Sequence, residues 1–154
     1  MRCYIDTSVW VVYTYARRKE SNRFKAVERL IKEINSGKKI EAMTSVYSIV
    51  ELYQVGIDTF DTLFEASENS KEAIINILQT KIVLLPMLSR IERLIHTRQF
   101  SALRDSTDLP HAILAKIWEC DVIVAYDDHF TSITDIIDYK KPEEVLANFK
   151  ADKK

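Results

Sequence analysis

Short apolar runs alternate with helix-patterned segments along this chain, and that alternation is what most limits its fold. Arg2 to Ile5, Ile40 to Thr44, Ile82 to Leu85, Val122 to Ala125 and Ile136 to Tyr139 each read as a strand of four or five residues. Between them, Ser8 to Tyr15 is rich in bulky apolar residues. Phe24, Val27, Leu30, Ile31 and Ile34 then recur at helical spacing, in a helix that Ser21 would cap and Gly37 would stop. Val46, Ile49, Val50 and Tyr53 fall on one side of a further helix, closed by Gly56. Helical spacing resumes over Lys71 to Thr80 and again at Leu88, Ile91, Leu94 and Ile95. Thr107 or Asp108 opens a helix through Trp118, with Pro110 in its first turn, where a missing N–H costs no hydrogen bond. Pro142 to Phe149 closes the chain as a helix, and the acidic stretch Ile57 to Ser70 is compatible with a loop, a short helix or an arm. Such an order predicts the α/β class, a parallel sheet covered by helices, whose ligand site lies beyond the carboxyl ends of the strands.

With 154 residues and 47% hydrophobic content, the chain has the size of one domain, expected over residues 1–150 with a charged tail at 151–154. Cys3 and Cys120 form no C-x-x-C pair and read as small core residues in a reducing compartment. The first residues enter a strand directly and no apolar run is long enough to span a bilayer, so a cytoplasmic protein without a membrane segment is expected. A formal net charge of −1 gives no global signature of nucleic-acid binding. A basic run (Arg17, Arg18, Lys19, Arg23, Lys25, Arg29, Lys32) fits either a solvated helix face or a surface that tracks phosphates. Trp10, Val11, Tyr13, Tyr15 and Tyr53 fit either the core or an interface.

Chemistry is carried by four acids. Asp6 and Asp127 each follow an apolar strand, Glu51 lies in a helix, and Asp108 stands at a helix start. Singly, each has an ordinary role as cap, turn or solvated residue. Brought together, they could not all stay ionised unaided, because two like charges about 4 Å apart repel by roughly 4 kcal/mol at a protein surface. Carboxylates without His or Cys partners suit hard ions, Mg²⁺ or Mn²⁺. Asp105, one turn ahead of Asp108, and Asp128, beside Asp127, are possible supporting ligands, and Ser8 could orient a carboxylate or simply start a helix. His96 and His129 read as isolated; His111, three residues after Asp108 on the same helix, could reach the site or bond substrate, though a surface or core histidine is the simpler reading.

In four segments the sequence resembles the PIN-domain family of metal-dependent ribonucleases, and in particular the small VapC-like toxins of prokaryotic toxin–antitoxin systems. They are Tyr4-Ile5-Asp6-Thr7-Ser8, Ser48-Ile49-Val50-Glu51-Leu52, Asp108-Leu109-Pro110-His111-Ala112 and Val124-Ala125-Tyr126-Asp127-Asp128-His129-Phe130. The resemblance covers essentially the whole chain. It implies a three-layer domain with about five parallel strands, and hydrolysis of RNA phosphodiesters by water activated at one or two Mg²⁺ or Mn²⁺ ions, without a protein nucleophile. Asp6 and Asp127 would be the principal ligands, with Glu51 and Asp108 completing the site. It also implies a homodimer and an antitoxin partner. Ala125 departs from the pattern, since the family often carries Thr or Ser two residues before its last acid. That departure keeps a second class open, a PIN-like module that binds RNA or protein without cutting; a housekeeping RNA-processing nuclease is a third reading.

Other α/β chemistries fit less well. A receiver domain wants an acceptor Asp after the third strand, where Leu84-Leu85-Pro86 stands, and a haloacid-dehalogenase-like phosphatase wants an acid at Ser8. Gly37 and Gly56 are the only glycines, too few for a P-loop or a dinucleotide-binding turn.

Overall fold

A computed structural model describes residues 1–17 and 19–151, the last two by their backbone alone. Five strands, β1 (Arg2–Ile5), β2 (Glu41–Ser45), β3 (Ile82–Leu85), β4 (Val122–Val124) and β5 (Asp138–Lys140), form one sheet. Every pairing is parallel and the order is β3-β2-β1-β4-β5. The chain therefore builds outward from β1 to one edge, then returns to β4 on the other side. This places the reversal of strand order between β1 and β4, the point at which an open α/β sheet leaves a crevice beyond its strand ends.

Side chains alternate across the sheet as the period of a strand requires. Cys3, Ile5, Ala42, Val122 and Val124 face one core, shared with Trp10, Leu30, Ile34, Leu52, Ile77 and Val145. These come from α1 (Thr7–Thr14), α2 (Ser21–Ser36), α3 (Val46–Thr59), α4 (Leu63–Leu78) and α7 (Pro142–Ala151). Tyr4, Met43 and Ile123 face the opposite core, filled by Ile113 of α6 (Leu109–Ile117) and by Phe100 and Phe130. The result is the expected α/β domain of three layers with a five-stranded parallel sheet. Cys3 and Cys120 are both buried and free. Trp10 is fully buried and donates through Nε1 to Thr44 Oγ1 at 2.9 Å, Tyr13 and Tyr15 are half-buried against the same core, and Tyr53 is exposed.

Several local expectations are corrected. Ser21 is the first residue of α2 rather than its cap; Glu20 precedes it and makes no capping side-chain hydrogen bond. Gly37 does end α2, with φ at 65°, a left-handed conformation that a residue with a Cβ adopts reluctantly. Gly56 ends nothing. It lies inside α3, where an added Cβ would stand 2.1 Å from Ser70 Oγ and 3.0 Å from the Tyr15 hydroxyl, so its role is to let α4 approach. The stretch from Ile57 to Ser70 resolves into the last turn of α3, a short link and the first half of α4, which Thr62 caps through Glu65 N. β5 starts later than Ile136, because Ile133 and Ile137 turn into the second core first. α7 carries through Ala151, and the remainder of the expected tail, like Arg18, lies outside the described residues.

On the far side of the sheet, α5 (Arg90–Thr97) begins with a capping box between Ser89 and Glu92. It buries no residue and leaves Ile91, Leu94 and Ile95 exposed, as the edge strand β3 leaves Val83 and Leu84. Among the described residues no helix is long and apolar enough to cross a membrane.

Candidate functional site

At the end of β1 the chain leaves the sheet at Asp6, whose extended backbone caps α1. Its Oδ2 accepts from Ser8 N at 2.9 Å and from Ser8 Oγ at 2.7 Å, while its own N–H donates to Val124 O of the neighbouring strand at 3.0 Å. Ser8 Oγ in turn accepts from Tyr126 N at 2.9 Å. One serine hydroxyl thus ties the ends of β1 and β4 together across the crevice, with Asp6 buried between them.

Glu51 reaches the same place from α3. Its carboxylate accepts from the Thr7 hydroxyl and lies 3.0 Å from His111 Nε2. His111 is buried; its Nδ1 is 2.8 Å from the Tyr4 hydroxyl and 4.0 Å from Asp6 Oδ1, and Tyr4 donates to Ser45 Oγ at 2.7 Å. Burial alone would raise the pKa of Glu51, but the His111 and Thr7 contacts overcome it and hold the carboxyl below its usual range. The same balance works on His111: burial opposes its charge, Glu51, Asp6 and Asp108 favour it, and the net shift is upward.

Asp108 occupies the cap position of α6 yet makes no capping hydrogen bond with its side chain, so its carboxylate is free to face the crevice. There Oδ2 lies 3.1 Å from His129 Nδ1. Burial pushes its pKa up to about 6; the His129 contact opposes this, and the charges of Asp127, Asp6 and Asp105 add to it. Asp127 follows β4 and caps a 3-10 turn (Asp128–Ile133), accepting from His129 N at 3.0 Å, and its Oδ1 is 3.2 Å from His129 Nδ1. Asp105 is held by the N–H and hydroxyl of Thr107, both at 2.8 Å, and with Asp108 and His129 it offers three donor atoms that all lie within 4.8 Å of one another.

All four acids singled out in the sequence therefore line the crevice between β1 and β4, two around His111 and two around His129. Asp105 joins them. Asp128 turns the other way, its carboxylate 3.0 Å from both Lys141 Nζ and the Tyr139 hydroxyl. His111, read as able to reach the site but more simply as a surface or core histidine, is buried between Tyr4 and Glu51, and His129, read as isolated, lies against Asp108 and Asp127. For His111 the signal was its place three residues after Asp108, on the same side of a helix. For His129 only the tertiary fold reveals it, because a 3-10 turn swings the ring back over Asp127. Of the basic run, Arg23 stacks on the Tyr126 ring at 4.7 Å and pairs with Glu20 at 2.7 Å, Arg17 lies over Phe24, and Lys32 pairs with Glu28.

The residues that could together hold a divalent cation are Asp105, Asp108 and His129, two hard carboxylates and an imidazole nitrogen with donor atoms within 4.8 Å of one another.

No protein-family model matches the sequence, and no curated protein does. Solved structures match the fold. The structure of VapBC2 from Rickettsia felis, bound to a DNA fragment of its promoter, aligns over 92% of this chain and 98% of that one, at 16% identity and a TM-score of 0.60. VapC20 from Mycobacterium tuberculosis, a toxin that cleaves the sarcin–ricin loop, aligns over 84% and 93%, at 14% identity and a TM-score of 0.62. VapBC-1 from nontypeable Haemophilus influenzae aligns over 92% and 98%, at 15% identity and a TM-score of 0.61. At these identities the likeness is one of fold, the PIN-like fold that the motifs imply.

Proposed function

We propose that the chain is a Mg²⁺- or Mn²⁺-dependent endoribonuclease, and that it serves as the toxin of a VapBC-type toxin–antitoxin pair. What supports this reading is that Asp6 and Asp127 follow the adjacent strands β1 and β4, where the strand order reverses, with Asp108 beside them and Glu51 tied in through Thr7 and His111, on a fold similar to that of a toxin that cleaves the sarcin–ricin loop. The ion, when bound, supplies a Lewis acid that activates water and neutralises charge on the phosphate. The protein's own part is to hold the donors in place. Asp6 is fixed by Ser8, Glu51 by Thr7 and His111, and Asp127 by the N–H of His129. Arg23, stacked on the ring of Tyr126, the residue before Asp127, would be the side chain to meet an RNA backbone phosphate.

The same reading makes the chain a homodimer with an antitoxin. Val83, Leu84, Met87, Ile91, Leu94 and Ile95 are exposed on the β3 edge and the elements that follow it, apolar surface that a second copy would cover. A mass that stays monomeric at all concentrations would contradict the dimer. A cytoplasmic location goes with the toxin role, since the substrate would be cellular RNA.

The test is cleavage of end-labelled RNA by wild type and Asp6→Asn, with Mn²⁺, Mg²⁺ or EDTA. Cutting by wild type alone, abolished by EDTA, is the expected result. Equal cutting by both proteins would remove Asp6 from the site. No cutting by either protein, together with no stoichiometric Mn²⁺ binding by wild type, would favour a binding module, the reading that Ala125 keeps open.

A further inference from the structure

The two site histidines differ in what their ring nitrogens can still do. His111 has both engaged, Nδ1 with Tyr4 and Nε2 with Glu51, and no lone pair is free for anything else. His129 is the opposite case. Its Nδ1 points between Asp108 Oδ2 at 3.1 Å and Asp127 Oδ1 at 3.2 Å, and its Nε2 makes no hydrogen bond among the described residues. Those two spacings match the edge of an octahedron with bonds of about 2.1 Å, which is about 3.0 Å. Asp105 adds an oxygen within 4.8 Å of both Asp108 and His129. The ring is held there by its own backbone, whose N–H donates to Asp127, and by Phe130 and Ile133, buried in the same 3-10 turn.

We propose that His129 is a nitrogen ligand of an ion held with Asp105 and Asp108, with Asp127 as a further donor, and that this mixed set selects a first-row transition ion over Mg²⁺. The proposal rests on the reading that the acidic crevice binds a divalent cation. Neutral imidazole is a borderline donor that binds Mn²⁺ and, increasingly along the series, later transition ions, whereas Mg²⁺ strongly prefers oxygen and dehydrates reluctantly. The required tautomer is available, since Nε2 faces solvent and can keep the proton while Nδ1 offers its lone pair. Without an ion the same geometry lets the ring hydrogen-bond the carboxylates, so the histidine has two separable roles, ligand or resident counter-cation, which predict opposite effects of removing it.

The experiment is electron spin-echo envelope modulation of Mn²⁺-loaded protein, paired with equilibrium binding of Mn²⁺ and Mg²⁺, on wild type, His129→Ala, His129→Asp and Asp6→Asn. If His129 is a ligand, wild type shows ¹⁴N modulation that His129→Ala loses. Mn²⁺ binding then weakens about tenfold or more in His129→Ala, Mg²⁺ binding changes by less than about threefold, and His129→Asp narrows the gap between the two ions. Stoichiometric Mn²⁺ binding that Asp6→Asn weakens, but without a nitrogen signal, overturns this proposal and leaves the metal site standing. Equal tightening of both ions in His129→Ala overturns it in favour of the counter-cation. Absence of stoichiometric Mn²⁺ binding in wild type overturns both this proposal and the metal reading. Because the His129 side chain is exposed, its variants should keep the fold, and circular dichroism before loading checks that they do.

Discussion

His111 and His129 each stand between carboxylates of one site, yet the first side chain is 1% exposed and the second 56%. The inner half of the crevice, Asp6 and Glu51 around His111, is built from β1, α1, α3 and α6, and Tyr4, Thr7, Glu51 and His111 each bond a residue of another element. In the outer half, Asp105, Asp108 and Asp127 around His129, the residues come from connecting segments and helix starts and depend largely on one another. Folding alone specifies the inner half. The outer half has its geometry finished by whatever charge enters it, which is how a rigid anchor and an adaptable ligand set can share one crevice.

The largest effect that would sharpen this contrast is on stability. Removing His111 takes one of two partners from the buried Tyr4 hydroxyl, which keeps Ser45, and one from the half-buried Glu51 carboxylate, which keeps Thr7, a loss of about 1.5 kcal/mol. For a chain of this length that is a fall of roughly 3–6 °C in Tm. His111→Ala should melt that much lower, and His111→Gln, which can still donate to Glu51, should recover part of the loss. His129→Ala, which removes only an exposed pairing with Asp108 and Asp127, should lose less than about 1 kcal/mol in the absence of ions. Thermal melts of the three variants in EDTA decide the matter; equal losses at His111 and His129 would end the distinction between the halves.

A smaller effect is expected from pH. Folding raises the pKa of Asp108 from 3.8 to about 6, so between those values the ion-free fold binds a proton that the unfolded chain does not. Stability from this group is complete below pH 3.8 and is lost as pH rises through about 6. His111, also shifted upward, acts with the same sign at higher pH, while Glu51, shifted downward, loses its contribution only as pH falls through the acid range. The groups facing Asp108 are Asp127, Asp6, Asp105 and His129, three of them acids. Ion-free protein should therefore lose a few degrees of Tm between pH 5 and pH 7.5. Asp108→Asn should shrink that slope, and the gain in Tm from Mn²⁺ should be larger at pH 7.5 than at pH 5.5, because protons compete with the ion. An unchanged slope in Asp108→Asn would show that the outer half is not electrostatically strained.

Much of the inner half was legible in the sequence, because its residues occupy regular elements. Asp6 follows a strand, and the period of two along Cys3, Tyr4 and Ile5 and the period of 3.6 along α2 are local signals. What the sequence hid was set by tertiary approach. Gly56 looked like a helix stop, since a glycine that makes room for Ser70 has the same letter as one that ends a helix. Asp128 and Asp127 were indistinguishable as neighbours until Lys141 and Tyr139, brought alongside by β5, drew one of them away. His129 was invisible for the same reason, as its direction depends on a 3-10 turn anchored by Phe130 and Ile133.

That separation of neighbours gives the smallest and sharpest test. Asp128 is one residue from a proposed ligand, and a ligand set drawn by proximity in sequence would include it. Its carboxylate is instead committed to Lys141 and Tyr139, which hold its pKa below the usual range and point it away from Asp108. Asp128→Asn should leave Mn²⁺ affinity and RNA cleavage within about twofold of wild type, as expected for an exposed pair, whereas Asp105→Asn, farther away in sequence, should weaken Mn²⁺ several-fold. Titration of Mn²⁺ into both variants measures the difference directly. If Asp128→Asn were the more damaging of the two, the 3-10 turn would have to rotate when an ion binds, carrying Asp128 inward and His129 outward. The outer half would then be a switch rather than a set of ligands waiting in place.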